Sequence, residues 1–140
     1  MWEKAHVLTL DVYKSSKPVP REESYGLTNQ MRRSSASIGA NIAEGSCQKG
    51  DCEFGRFLQI PMGSASELEY HLLLAHDLEL LKSLDYQWLS GEVTELKRML
   101  ASLIHKLKAD SGRTTTCCRR HIHASFEKRT YPLRAHWPKV

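Results

Sequence analysis

Apolar residues recur at helical spacing in four stretches of the chain. Trp2, Ala5, Leu8 and Val12 step by three or four residues, which predicts a first helix from about Trp2 to Lys14. Lys17-Pro18-Val19-Pro20 ends it, because proline lacks the backbone donor and disfavours helix in the residue before it. Leu27, Met31, Ser35, Ile38 and Ile42 predict a second helix from about Tyr25 to Glu44. Its middle is unusually small: Ser34, Ala36, Ser37, Gly39 and Ala40. A helical glycine costs about 1 kcal/mol, so Gly39 is expected to serve close packing, and Gly45 is expected just past the helix end.

The third stretch starts at Asp51, an expected N-cap. Phe54, Leu58, Pro61, Ala65, Leu68, Leu72 and Ala75 then form a heptad seam. Pro61 lies inside it and Gly63-Ser64 follows, which predicts a bend or break at 61–64. The fourth stretch follows Asp85, again an expected N-cap. Tyr86, Leu89, Val93, Leu96, Leu100, Leu103 and Leu107 give the cleanest period in the chain. Short linkers at about 17–24, 46–50 and 82–85 make successive helices antiparallel neighbours. The expected fold is therefore all-α: an up-down-up-down antiparallel four-helix bundle over residues 1–110. Residues 111–140 show neither helical nor strand period and are expected to form an irregular, flexible tail.

Composition sharpens this picture in one respect. The 140-residue chain carries a net charge of +4, but unevenly. Residues 1–110 hold 13 Lys+Arg against 15 Asp+Glu, or −2, while residues 111–140 hold seven basic residues against Glu127 alone, or +6. An electrostatic argument for nucleic acid therefore differs between bundle and tail. No run of about 18 apolar residues is present, so no membrane helix is expected. The N-terminus has no secretory pattern, and a cytoplasmic location is expected. Cys47, Cys52, Cys117 and Cys118 are then expected as thiols.

The second and third stretches carry a resemblance. Tyr25-Gly26-Leu27-Thr28, Gln30-Met31-Arg32-Arg33 and Ser37-Ile38-Gly39-Ala40-Asn41-Ile42-Ala43-Glu44-Gly45 resemble the bacterial four-helix-bundle family named for proteins encoded in intervening sequences of 23S ribosomal RNA genes. Trp2 and Ala5, Val12-Tyr13, Glu53-Phe54, Phe57-Leu58, Gly63-Ser64, Glu67-Leu68 and Leu72-Leu73-Leu74-Ala75 fall in register with it, so that it covers residues 1 to about 108. The resemblance implies a homo-oligomer, with a pentameric ring the best-attested form. It also implies kinship with the accessory variability determinant proteins of diversity-generating retroelements, which are basic pentamers that bind nucleic acid. The chain departs from the family pattern at Pro61, where a helix-compatible residue is usual, at Glu79, where glycine often ends the third helix, and in the tail.

Candidate chemistry is sparse. Arg32, Arg33, Lys49, Arg56, Arg119 and Arg120 are candidate nucleic-acid contacts. The plainer reading of Arg32 and Arg33 is ion pairing with Glu22, Glu23 or Glu44. Asn41 and Glu44 suggest a buried hydrogen-bond network or a polar cap on the following loop; with Gly45, Gly63 and Ser64 they are expected to be structural. Glu67, His71 and His76 lack the Glu-x-x-His spacing of bundle metal sites. Cys117-Cys118 with His121 and His123 has poor spacing for zinc, and Cys47 and Cys52 lack a second ligand pair. No cofactor, metal or catalytic set is expected, and no phosphate loop or nucleophile motif occurs. Leu10, Leu73, Leu74, Met99 and Ile104 fall off the core faces and predict a second apolar stripe that meets another subunit. The expected function is that of a non-enzymatic homo-oligomeric protein associated with RNA or DNA; the alternative is a protein–protein adaptor with no nucleic-acid role.

Overall fold

The computed structural model describes residues 1–17, 26–47 and 50–111. Five helical segments build it: α1 (Trp2–Ser15), α2 (Leu27–Gly45), α3 (Asp51–Phe57), α4 (Gln59–Asp77) and α5 (Ser83–Ser111). Segments α3 and α4 are the two parts of one broken helix, so the architecture is the expected four-helix bundle. Its alternation is visible in side-chain contacts. Thr9 donates to the Ser35 carbonyl at 3.0 Å and Arg32 reaches Ser16, which makes α1 and α2 antiparallel. Ser37 and Ser64 bond between α2 and α4 at 3.0 Å. Lys97 bonds Glu69 at 2.7 Å and His76 bonds Ser83 at 3.3 Å, which makes α4 and α5 antiparallel. Helices α1 and α4 are diagonal: each packs on α2 and α5, and among the described residues their Cα atoms stay more than 8 Å apart.

The core follows the heptad faces. Ala5, Leu8 and Val12, then Met31, Ile38 and Ile42, then Leu58, Ala65, Leu68, Leu72 and Ala75, then Leu89, Val93, Leu96 and Leu100 are all buried. The last turns of α5 depart from the expected seam. Ile104 is buried at 7% exposure, whereas Leu103 and Leu107 are only half-buried against the core edge. A straight helix of 3.6 residues per turn drifts away from a seven-residue repeat, so the buried position moves from Leu103 to Ile104. Ile104 is thus a core residue and not part of a second stripe.

The break in the third helix falls at Leu58 and not at 61–64. Pro61 is buried in the first turn of α4, where it needs no N–H of its own. The proline withholds a donor from the Phe57 carbonyl, four residues upstream, and its ring crowds that carbonyl. The disturbance therefore appears one turn before the proline. Gly63 lies within α4, exposed and uncrowded. The expected N-caps also move: Asp51 occupies the first turn of α3 behind Gly50, whose φ of +104° suits glycine, and Asp85 lies in the first turn of a helix already begun at Ser83.

Gly45 is the last residue of α2 and is helical, not a left-handed cap. Its role is close approach. A Cβ there would sit 3.0 Å from Phe57 Cδ1 and 3.3 Å from Phe54 Cε2. Gly39, expected to serve packing, does not: its Cβ would lie 4.0 Å from Ala5 Cβ, an ordinary contact.

The third helix ends in a Schellman arrangement. Leu80 N–H donates to the Ala75 carbonyl and Glu79 N–H to the His76 carbonyl, each at 2.9 Å. Glu79 holds φ +57°, the left-handed region that glycine enters without a Cβ penalty. The resemblance places glycine at this position, and the backbone shows why. A Glu79→Gly variant is expected to gain about 1 kcal/mol, the left-handed penalty less the extra entropy of an unfolded glycine. Urea unfolding checks it, and an unchanged midpoint would contradict the strain.

Between α1 and α5, Lys4 meets Glu95 at 2.6 Å and Glu92 at 2.9 Å. The Glu95 hydrogen bond, supported by Glu92, holds the Lys4 ammonium above the ordinary lysine range and outweighs the opposing effect of burial.

Candidate functional site

Arg32 is not free to meet a phosphate. Its Nε donates to Ser16 Oγ at 2.8 Å, its Nη2 donates to the Ser16 carbonyl at 3.2 Å, and its guanidinium lies 5.1 Å from the Tyr13 ring centroid. Ser16 caps the C-terminus of α1 and is 2% exposed. Helix C-termini leave unpaired carbonyls and carry partial negative charge, so a guanidinium satisfies both needs there. Arg32→Met is expected to cost about 2 kcal/mol, the value of hydrogen bonds made by a charged group. Arg32→Lys is not expected to restore it, because an ammonium lacks the planar fork that spans both Ser16 oxygens. Chemical denaturation of the three proteins is the measurement; equal midpoints would remove Arg32 from the cap. Ser16 and Tyr13 carry no sequence signal for this role, since their meeting with Arg32 depends on how α1 and α2 dock.

Arg33 is exposed and pairs neither with Glu44 nor with any other acidic side chain among the described residues; Glu22 and Glu23, its other expected partners, lie outside them. Arg56 is exposed and meets Glu53 one turn earlier at 3.8 Å. An exposed pair of that length contributes little. Lys49, Arg119 and Arg120 lie outside the described residues, as do Cys117, Cys118, His121, His123 and the expected tail. Arg32, Arg33 and Arg56 therefore do not converge into one basic surface: the first is committed to the α1 end, and Arg56 stands on α3.

The polar motif of α2 resolves into a network without Glu44. Asn41 Nδ2 donates to the Ser37 carbonyl at 2.8 Å and to Ser37 Oγ at 2.9 Å, and Ser37 Oγ bonds Ser64 Oγ at 3.0 Å. This chain crosses from α2 to α4 and matches the two helices at one level, a specific polar contact within an otherwise apolar seam. Glu44 is exposed and takes no part in it. Glu67, His71 and His76 do not gather. Among the described residues no three His, Cys, Asp or Glu side chains lie close enough to hold a metal ion. His76 stacks on Tyr86, with ring centroids 4.5 Å apart. Cys47 is an exposed free thiol.

The outer surface is more distinctive than the interior. Val7, Leu10 and Tyr13 on α1 are 44–45% exposed, and Tyr70 and Leu73 on α4 are 61% and 43% exposed. Leu78, Leu84 and Trp88 are exposed around the α4–α5 turn. Of the expected second stripe, Leu10 and Leu73 face solvent and Leu74 packs partly against the core. Met99 is half-buried in an open depression of 420 Å³ between the start of α1 and the C-terminal half of α5, with Met1, Leu103 and Lys106. Val7, Tyr70 and Trp88 escape a reading based on aliphatic stripes, although their spacing to Leu10, Leu73 and Leu84 carries the signal. No helix among the described residues is long and apolar enough to cross a membrane.

Three comparisons bear on these features. The family described as 23S rRNA-intervening sequence protein matches residues 1–102. A crystal structure of a protein of unknown function from the S23 ribosomal protein family of Bacteroides thetaiotaomicron is similar at 28% identity, with a TM-score of 0.68 over 74% of this chain and 96% of the other. A search of curated proteins finds no match.

Proposed function

The chain belongs to the 23S rRNA-intervening sequence protein family, and from that premise we propose that it is a non-enzymatic protein that assembles with copies of itself. One observation carries the reading: α1 and α4, diagonal in the bundle, each turn large apolar side chains to solvent on opposite sides of the molecule. Two different apolar faces on one chain suit head-to-tail contacts, which close into a ring when the rotation permits. The ring that the family resemblance implies is a pentamer. The polar side chains support binding over catalysis, since Arg32, Ser37, Asn41 and Ser64 are spent on helix-to-helix contacts. Light scattering at micromolar concentration tests the reading. A mass that is a multiple of the 16.0 kDa chain supports it, five times for a pentamer, and a clean monomer overturns it.

A second reading, association with RNA or DNA, is favoured by the +6 charge of residues 111–140 and by the exposed Arg33 and Arg56. Such binding weakens steeply with salt, because each phosphate contact releases counterions. Anisotropy titrations with structured RNA and duplex DNA at low and moderate salt, on the full chain and on a chain ending at Asp110, locate it. Binding lost with the tail assigns it there; no binding at low salt favours the adaptor reading.

A further inference from the structure

The outward faces of α1 and α4 match each other residue by residue. On α1, Val7, Leu10 and Lys14 follow the spacing i, i+3, i+7; on α4, Tyr70, Leu73 and Asp77 follow the same spacing. That spacing places each trio along one helical face. It is also the a-d-a pattern of a parallel two-helix seam, in which like positions meet layer by layer. All six side chains are substantially exposed: Val7, Leu10, Tyr70 and Leu73 at 43% or more, with the Lys14 and Asp77 side chains at 43% and 63%. The two charges that close the trios are opposite in sign. Above Tyr70, the α4 face continues through Ser66 and Gly63, which are small enough to leave room for a neighbouring helix.

Resting on the self-assembly reading, we propose that α1 of one copy packs parallel and in register against α4 of the next, Val7 on Tyr70, Leu10 on Leu73 and Lys14 beside Asp77. The fold meets one condition this requires and brackets a second. First, α1 and α4 are parallel, since each is antiparallel to α2 and to α5. A ring whose axis runs along the bundle brings parallel helices of adjacent copies together. Second, such a rotation keeps every residue at its own level, so Val7 and Tyr70 must already be level within one copy. Through α2, the Ala5–Gly39 contact and the Ser37–Ser64 bond bring Val7 level with about Ser64. Through α5, the Lys4–Glu95 and Lys97–Glu69 bonds bring it level with about Leu74. Tyr70 lies between these levels. Lys14 also meets Asp11 of its own helix at 3.4 Å, one turn earlier, a contact compatible with an intermolecular Asp77. Leu84 and Trp88 have no counterpart trio and stand outside this contact.

Sedimentation velocity on the full chain tests the assignment. Leu10→Glu and Leu73→Glu are each expected to reduce an assembled wild type to the 16.0 kDa monomer, with helicity by circular dichroism unchanged because both positions are solvent-facing. Trp88→Glu is expected to stay assembled. Mixing the two monomeric variants is expected to give a one-to-one pair of twice the chain mass, since one retains an intact α1 face and the other an intact α4 face. Should either glutamate variant lose helicity, Lys14→Glu is expected to weaken assembly and the Lys14→Glu, Asp77→Lys double variant to restore it. An assembled wild type whose Leu10→Glu and Leu73→Glu variants remain assembled overturns this interface and leaves self-assembly standing. Dissociation by Trp88→Glu alone does the same. A monomeric wild type overturns both.

Discussion

Gly45→Val is expected to destabilise the bundle by about 3 kcal/mol, whereas Gly39→Ala, in the same helix, is expected to stabilise it by about 1 kcal/mol. At position 45 the first side-chain carbon already falls 3.0 Å from Phe57 and 3.3 Å from Phe54, and valine adds two methyl groups beyond it. Both rings belong to α3, which must lie close to the end of α2 for Phe54 to pack on the core edge. The rings are stiff, so relief requires α3 to move as a unit. At position 39 the nearest atom is Ala5 Cβ at 4.0 Å, so alanine brings its better helix propensity without a clash. Denaturant unfolding reads both changes as shifts of midpoint at constant slope. An unshifted midpoint in Gly45→Val would show that Phe54 and Phe57 turn aside freely, and the close-approach account of Gly45 would fail.

Ile104→Ala is expected to cost about 3 kcal/mol and Leu103→Ala about 1 kcal/mol, the reverse of what a strict seam through Leu96, Leu100, Leu103 and Leu107 implies. Truncating a buried aliphatic side chain removes its transfer free energy and leaves a cavity. Ile104, at 7% exposure, suffers both losses. Leu103 borders the open depression beside Met1, where water and neighbouring side chains fill the vacated space. The same unfolding measurement separates the two. A larger loss at Leu103 would mean that α5 keeps the seven-residue repeat to its end.

Particular residues show how far the chain was legible in advance. Ala5, Leu8 and Val12, or Leu68, Leu72 and Ala75, announce their burial through spacing alone, because a helix converts sequence period directly into one face. Pro61 announces a break, but its place depends on which carbonyl loses its donor, and that is Phe57, four residues earlier. Arg32 and Arg33 are indistinguishable as letters; docking of α1 on α2 commits one to the Ser16 cap and leaves the other exposed. Asn41 and Glu44 read as a pair, yet only Asn41 lies at the level of Ser37 and Ser64.

By itself, then, the sequence determined the number of helices, their order, their core faces and the family, all of which follow from local period and from residues in register. Only the tertiary structure decided which glycine serves close approach, which arginine is committed, where the third helix breaks, and which exposed apolar residues point to opposite sides. Those outcomes depend on distances of a few ångströms between segments far apart in the chain, set when four helices settle against one another and not by the propensity of any one of them.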